Sequence, residues 1–275
     1  AASFTTISHL PGAGQATVDF MKRLSTEVPR VALELGSRVE TVPIAVSDCA
    51  NRSEEFRRLA RTGFDPDVPA DDRDLPLVSV VIPVHDGAAF LRDAIENVRA
   101  QRYPRLELIV VNDGSMDDTE AIARSLPYDL CYYDFRTNLG PAEARNRGIR
   151  EAGGDFIAFL DVDDLWPDGN LRRLMRILLA DPSLDFVQGK PRLLELGEED
   201  GIYRETGAHL EAFPHYIGSS LFRRSVFSKV GLFDRTLRFG EDSDWYLRAE
   251  ELAMRRKEVE DVTLFVRRHG GNMTW

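Results

Sequence analysis

The chain has 275 residues, 43% of them hydrophobic, which suits one large domain or a domain with an appendage. Its formal net charge of −11 argues against nucleic-acid binding through a broad basic surface. Cys49 and Cys131 are too few for a disulfide framework or a zinc site, and Cys131 is expected to be a buried thiol. We expect no membrane span and no signal peptide, and therefore a cytoplasmic location.

The first part of the chain carries no residues to which chemistry can be assigned. Residues 1–63 are expected to form a small N-terminal extension that serves packing or partner docking, and a homo-oligomer is left open. Residues 64–76 are dominated by proline and aspartate and have no apolar period, which predicts a linker. Residues 77–275 are expected to form the main domain.

A regular alternation of strands and helices begins after the linker. Strands are predicted at 77–84, 106–112, 130–134 and 155–160, and helices at 88–100, 117–125 and 141–152. Continuous apolar strands separated by helices are typical of a parallel sheet covered on both faces. In the second half, strands are predicted near Phe186, near Ile202, at 217–222 and at 263–266, and helices at 171–179 and 243–252. This half is expected to extend the sheet and to form the second wall of a cleft.

Acidic residues follow the fourth predicted strand directly. Asp161, Asp163 and Asp164 come after the apolar run 156–160. Alternate residues of an extended chain point to the same side, so Asp161 and Asp163 could converge on one Mg²⁺ or Mn²⁺, with substrate phosphates completing the shell. A turn whose acids cap the next helix is an equally good interpretation.

Polar segments also follow other strands, and each has a structural alternative. The segment 112–115 reads either as a glycine turn with a capping box or as a site where Asp113 accepts hydrogen bonds from a nucleoside. Arg145 could bind a base or a phosphate, or it could be a solvated helix residue.

Two late segments complete the set of candidates. The acids Glu241 and Asp242 suit a helix start because of the helix dipole, but a carboxylate beside the apolar Trp245 is also a plausible general base. His269 could be a metal ligand or a phosphate contact, although a single histidine is more often structural.

Taken in order, these segments resemble family 2 glycosyltransferases of the GT-A fold. The resemblance spans roughly residues 77–270 and rests on the segments 80–84, 111–115, 138–148, 161–164 and 233–248. It implies a mostly parallel central sheet flanked by helices, with a nucleotide-binding half at 77–165 and an acceptor half at 166–275. It also implies inverting transfer of a sugar from a nucleoside-diphosphate sugar, most commonly a uridine diphosphate in this family, to an acceptor hydroxyl.

The resemblance implies a role for each matching position. The nucleotide and donor sugar would be surrounded by Pro83, Val84, Asp86, Asp113, Arg145 and Asp161. Among these, Asp113 and Arg145 would contact the base, and Asp161 would bond to the ribose or sugar. Asp86 departs from the family pattern, because His85-Asp86 stands where an aromatic residue and asparagine are commoner.

The remaining implied roles concern catalysis. Asp163 and His269 would hold Mn²⁺ or Mg²⁺ against the diphosphate. Asp242 would be the general base, and Glu241 and Trp245 would line the acceptor side.

Two other functions fit parts of the pattern. A nucleotidyltransferase also combines a parallel sheet with an acidic metal site, but it would typically carry a basic, glycine-rich loop after the first strand, where this chain has Val84-His85-Asp86-Gly87. A non-catalytic nucleotide-binding module would use the acids only as caps.

Overall fold

The computed structural model describes residues 75–196, 203–205 and 215–270, so the predicted extension at 1–63 and almost all of the predicted linker lie outside the described residues. The strands are β1 Val78–Val84, β2 Leu106–Asn112, β3 Cys131–Asp134, β4 Phe156–Phe159, β5 Phe186–Leu196, β6 Tyr203–Glu205, β7 Ser220–Arg223 and β8 Arg256–Arg268. The helices are α1 Ala88–Ala100, α2 Thr119–Ser125, α3 Pro141–Glu151, α4 Asn170–Ala180, α5 Ser225–Val230 and α6 Glu241–Glu251, with a 3₁₀ turn at Ile217–Ser219.

All eight described strands belong to one sheet. β1 lies between β2 and β4 and runs parallel to both, and β3 continues the parallel part beyond β2. β7 joins β4 and β5 in antiparallel pairs, and β5 also pairs with β6 in antiparallel and with β8 in parallel direction. The predicted α/β architecture with a mostly parallel central sheet is confirmed.

The sheet is covered on both faces, as its continuous apolar strands require. Every residue of β1 is buried, and successive side chains alternate between two cores. Val80 and Ile82 pack into the core on the α1 side, whereas Val81 packs into the core on the α3 side. Gly148 lets α3 approach closely, because a Cβ at this position would lie 2.2 Å from a methyl group of Val81.

A cluster of aromatic rings supports the second half of the sheet. Phe159 at the end of β4 packs edge-on against the rings of Phe222, Phe227 and Phe233. Trp245 of α6 packs against three of these four phenylalanines. The cluster fixes where α6 begins relative to the end of β4, and both points carry predicted site residues.

Three features differ from the sequence-based expectations. Cys131 is exposed, because β3 is an edge strand with exposed ends, so the prediction of a buried thiol is wrong. β8 extends far beyond the predicted residues 263–266. Residues 217–219 form a 3₁₀ turn rather than the start of a strand. In the described part of the chain, no helix combines the length and apolar character that crossing a membrane would need.

Candidate active site

The polar segments predicted at strand ends meet at one edge of the sheet. Val84 pairs with Asn112, the last residue of β2, and Val81 pairs with Phe159, the last residue of β4. Because the strands are parallel, the loops that follow them leave the sheet side by side. Ligands bind outside the carboxyl ends of the strands in sheets of this type, so this edge is the candidate active site.

The predicted donor-side residues of β1 hold the first loops in place. Pro83 and Val84 are buried in the strand, and the Val84 carbonyl accepts the N–H of Asp113 at 2.7 Å. Asp86 is exposed, has a left-handed φ of 48°, and accepts the N–H of Met116 on Oδ1 at 2.7 Å. Of these three residues, only Asp86 brings its side chain to the surface of the site.

Asp113 fastens the entry to α3. Its carboxylate is buried, and it accepts the N–H of Leu139 on Oδ1 at 2.6 Å and that of Gly140 on Oδ2 at 2.8 Å. Gly140 has a φ of 95°, a conformation that residues with a Cβ rarely adopt, so the glycine permits this tight approach. Both oxygens of Asp113 are therefore engaged within the chain, and its contact with a nucleotide base stays a prediction.

Arg145 lies among carboxylates beneath the edge of the sheet. The residue is 5% exposed, Nη2 donates to Asp161 Oδ1 at 2.6 Å, and Nη1 donates to Glu241 Oε1. Burial works against the charged guanidinium, but the nearby acids outweigh it and raise the pKa of Arg145. The guanidinium thus remains charged and joins α3, the end of β4 and the start of α6.

The segment that follows β4 bends instead of continuing as a strand. The N–H of Asp164 donates to the carbonyl of Asp161 at 2.9 Å, which closes a turn. As a result, Asp161 pairs with Arg145 while Asp163 points to His269. The prediction of an extended segment here is wrong, whereas the convergence of Asp161 and Asp163 on one metal ion stays a prediction. Burial raises the pKa of Asp161, although Arg145 opposes the increase.

Asp163 and His269 come together although 106 positions separate them in the sequence. His269 Nε2 lies 3.2 Å from Asp163 Oδ2, and its ring stacks on Phe90 with centroids 4.4 Å apart. Burial disfavours ionisation of Asp163, but the hydrogen bond and charge of His269 outweigh it, so the pKa of Asp163 lies below its usual value.

Asp163 and His269 are the residues that the resemblance implies as metal ligands. Among the described residues, no three His, Cys, Asp or Glu side chains form a metal-binding group. Mg²⁺ is usually bound by one or two carboxylates together with water and substrate phosphates, and carboxylate oxygens suit Mn²⁺ as well. One carboxylate with an adjacent imidazole therefore fits a divalent ion whose other ligands come from a diphosphate.

The start of α6 presents two acids with different surroundings. Glu241 is buried against Arg145, whereas Asp242 is partly exposed and accepts the N–H of Ser243 at 2.7 Å. The pKa of Asp242 is raised to about 6. Burial is the largest cause, Arg145 opposes the increase, and Glu241 adds to it. A carboxylate with a pKa near 6 is ionised at neutral pH and basic enough to accept a proton there.

Trp245 does not line the acceptor side. Its ring is fully buried in the aromatic cluster, and Nε1 donates to the carbonyl of Gly231 at 3.0 Å. On a helix, Trp245 shares a face with Glu241 and Ala249, and all three are buried. The predicted contact with an acceptor is therefore replaced by a packing role beneath the site.

The sequence analysis missed Arg267, a buried residue that lies beside Asp163. The Arg267 guanidinium is buried, and its Nε donates to the carbonyl of Asp163. The backbone N–H of Arg267 donates to Oδ1 of Asp164 at 3.3 Å, so Asp164 is a buried partner of β8 and not a surface cap. The local sequence gives no signal for Arg267, because Thr263, Leu264 and Phe265 are all buried and alternation does not distinguish the two faces of β8 here.

The family model for glycosyl transferase family 2 matches residues 79–231. The chain belongs to glycosyl transferase family 2. An uncharacterized glycosyltransferase of Rickettsia typhi, RT0329, is 35% identical over 185 residues, which cover 62% of this chain and 58% of the relative. The uncharacterized glycosyltransferase EpsJ of Bacillus subtilis is 29% identical over 230 residues, covering 73% of this chain and 63% of the relative.

Solved structures share the fold of this family member. S. aureus TarS (residues 1–349) in complex with UDP superimposes with a TM-score of 0.57 at 18% identity, covering 70% of this chain and 60% of that one. The mannosyltransferase PcManGT from Pyrobaculum calidifontis, in complex with GDP-Man and Mn²⁺, gives a TM-score of 0.55 at 22% identity, covering 82% and 67%. The expected GT-A fold is confirmed.

Proposed function

We propose that this chain transfers a sugar from a nucleoside-diphosphate sugar to an acceptor hydroxyl, with inversion at the anomeric carbon. UDP is the proposed nucleotide of the donor. Membership of glycosyl transferase family 2 supports sugar transfer. The complexes of TarS with UDP-GlcNAc and of PcManGT with GDP-Man support a nucleotide-sugar donor, and the Mn²⁺ of the latter supports a divalent metal.

One observation carries the proposal. A carboxyl group whose pKa is raised to about 6, Asp242, lies at the same edge of the sheet as the Asp163–His269 pair. The ion pairs of Arg145 with Asp161 and Glu241 connect these two parts of the site. A proton acceptor and a candidate diphosphate site side by side are what displacement of a nucleoside diphosphate by a hydroxyl requires.

In the proposed reaction, Asp242 is the general base. It takes the proton of the acceptor hydroxyl while that oxygen attacks the anomeric carbon from the face opposite the diphosphate. The bond between the anomeric carbon and the diphosphate oxygen breaks, and the bonding electrons leave with the nucleoside diphosphate. General-base assistance of this kind contributes about 10²–10⁴-fold to the rate.

Asp163 and His269 are the proposed metal-binding residues. A bound Mg²⁺ or Mn²⁺ would neutralise negative charge on the leaving diphosphate, an effect on the order of several kcal/mol. Arg267 supports this side of the site by holding the Asp163 carbonyl from β8. Asp161, oriented by Arg145, is the proposed contact to the ribose or the donor sugar.

Calorimetric titration with UDP, GDP, dTDP and CDP, each with and without Mn²⁺, tests the donor site. We expect one of these nucleotides to bind, and we expect binding to weaken strongly without Mn²⁺ and in Asp163→Asn. Asp168→Asn is the matched control, because Asp168 is a partly exposed acid in the same acidic segment. If Asp163→Asn and Asp168→Asn bound the nucleotide equally well, Asp163 would be removed from the proposal. If wild type bound it equally well with and without Mn²⁺, the metal would be removed.

A further inference from the structure

The surroundings of Arg145 do not suit a contact with a nucleotide base. The residue is 5% exposed, and its Nε is buried as well. The two Nη atoms donate to Asp161 and Glu241, and the guanidinium carbon lies 5.9 Å from the centre of the Phe233 ring. A base would have to displace these ion pairs to reach the guanidinium.

The partners of Arg145 belong to the parts of the chain that must act together. Asp161 follows the fourth strand of the sheet at the donor side, and Glu241 is the first residue of α6, directly before the proposed base Asp242. Arg145 and Glu241 are 96 positions apart in the sequence. The guanidinium therefore fixes the position of Asp242 relative to the donor side through two direct ion pairs, of which the one with Glu241 is buried.

The same guanidinium also balances the charge around Asp242. Three acids, Asp161, Glu241 and Asp242, lie near one cation in a poorly solvated place. Burial raises the pKa of Asp242, and Arg145 is the largest influence that lowers it. An opposite charge nearby favours the ionised form of a carboxyl group by about 1–3 pH units in its pKa.

We propose that Arg145 is a positioning residue that holds the start of α6 against the end of β4 and keeps Asp242 in its proton-accepting form. The catalytic meaning of this role rests on the proposed function, but its structural and electrostatic content does not. Arg145 acts through Asp242 and Asp161, and the nucleotide base is bound elsewhere.

The groups that face Asp242 come from several elements. Arg145 approaches from α3, Asp161 from the turn after β4, Glu241 and the Tyr246 hydroxyl from α6 itself, and Tyr216 from the segment before the 3₁₀ turn. Among them, Arg145 is the cation and Glu241 is the adjacent anion. Replacing one or the other should therefore move the ionisation of Asp242 in opposite directions.

The test is a ¹³C NMR titration of aspartate-labelled protein without metal or substrate, with Asp242→Asn used to assign the signal. In Arg145→Met, we expect the titration midpoint of Asp242 to rise by about 1–3 pH units above its wild-type value near 6. Arg145→Lys retains a cation and should leave the midpoint closer to wild type. Glu241→Gln removes the neighbouring negative charge and should lower the midpoint.

Three results would overturn the proposal. These are an unchanged midpoint in Arg145→Met, an unchanged or raised midpoint in Glu241→Gln, or a loss of UDP binding in Arg145→Lys with an unchanged midpoint. If Arg145→Met does not fold, Glu241→Gln and Arg145→Lys decide the matter. The titration needs no substrate, so a wild-type protein without transfer activity would refute the proposed function alone.

Discussion

The raised pKa of Asp242 predicts a specific pH profile. As the proposed base, Asp242 must be ionised to act, and its pKa of about 6 lies above the ordinary aspartate value of 3.8 because the group is buried. Lowering the pH from 7 to 5 should reduce kcat/KM roughly tenfold, because the ionised fraction falls from about nine-tenths to about one-tenth. A carboxyl group with its ordinary pKa would remain ionised through this range.

The isosteric variant Asp242→Asn removes the base and retains an oxygen that can accept the N–H of Ser243. We expect kcat/KM to fall by about 10²–10⁴-fold at neutral pH, with nucleotide binding preserved. The assay is release of nucleoside diphosphate from a nucleotide sugar over pH 4.5–9. Asp244→Asn is the matched control, because Asp244 lies on the same helix, pairs with Arg248 at 2.9 Å and plays no part in the site.

The same pKa also predicts an effect on stability. A carboxyl group whose pKa is raised by folding stabilises the fold below its unfolded pKa, and that contribution is lost as the pH rises through about 6. The raised pKa corresponds to at most roughly 2–3 kcal/mol in the free energy of unfolding at neutral pH. The effect is smaller than this limit because Asp242 is partly exposed. Asp242→Asn should therefore unfold at a higher urea concentration than wild type at pH 7.

Two results would refute the assignment of Asp242 as the general base. These are a normal turnover rate in Asp242→Asn, or an acid limb near pH 4 in the pH profile of wild type.

Three further predictions concern packing and the metal side. Trp245→Ala should destabilise the fold by about 3–5 kcal/mol in urea titrations, because the buried ring leaves a cavity. Gly148→Ala should cost about 1–3 kcal/mol, because the new Cβ would meet Val81 at 2.2 Å. Gly153→Ala is its control, since a Cβ there lies 3.4 Å from its nearest neighbour, and equal losses would contradict the packing argument. His269→Ala should reduce Mn²⁺-dependent UDP binding at least about tenfold in calorimetry, and unchanged binding would exclude it as a ligand.

The parallel half of the fold could be predicted from the sequence almost to the residue. α1 is the helix predicted at 88–100, and β2 is the strand predicted at 106–112. Both begin and end at the predicted residues. These elements carry strong apolar patterns of their own, so the local sequence determines them. The antiparallel half was less predictable, because the first part of β8 is exposed and polar, and its pairing with β5 over a long register makes it a strand.

The candidate site was predictable in its position along the sheet, but its contacts were not. The acids after β4 and at the start of α6 are visible in the sequence. Nothing local indicates that Arg145 lies between Asp161 and Glu241, because that arrangement depends on how the sheet brings distant segments together. Trp245 was placed wrongly because closeness in sequence to Glu241 and Asp242 does not show which face of the helix it occupies.

The most direct test of the proposed function is ³¹P NMR of the chain incubated with UDP-GlcNAc or GDP-mannose, Mg²⁺ and a mixture of candidate acceptors. We expect the nucleoside diphosphate to form only when an acceptor is present. Asp242→Asn should abolish this reaction, and Asp244→Asn should retain it. Formation of pyrophosphate would instead identify a nucleotidyltransferase. A nucleotide sugar that binds but stays intact with every acceptor would contradict the proposed transfer and support a binding module.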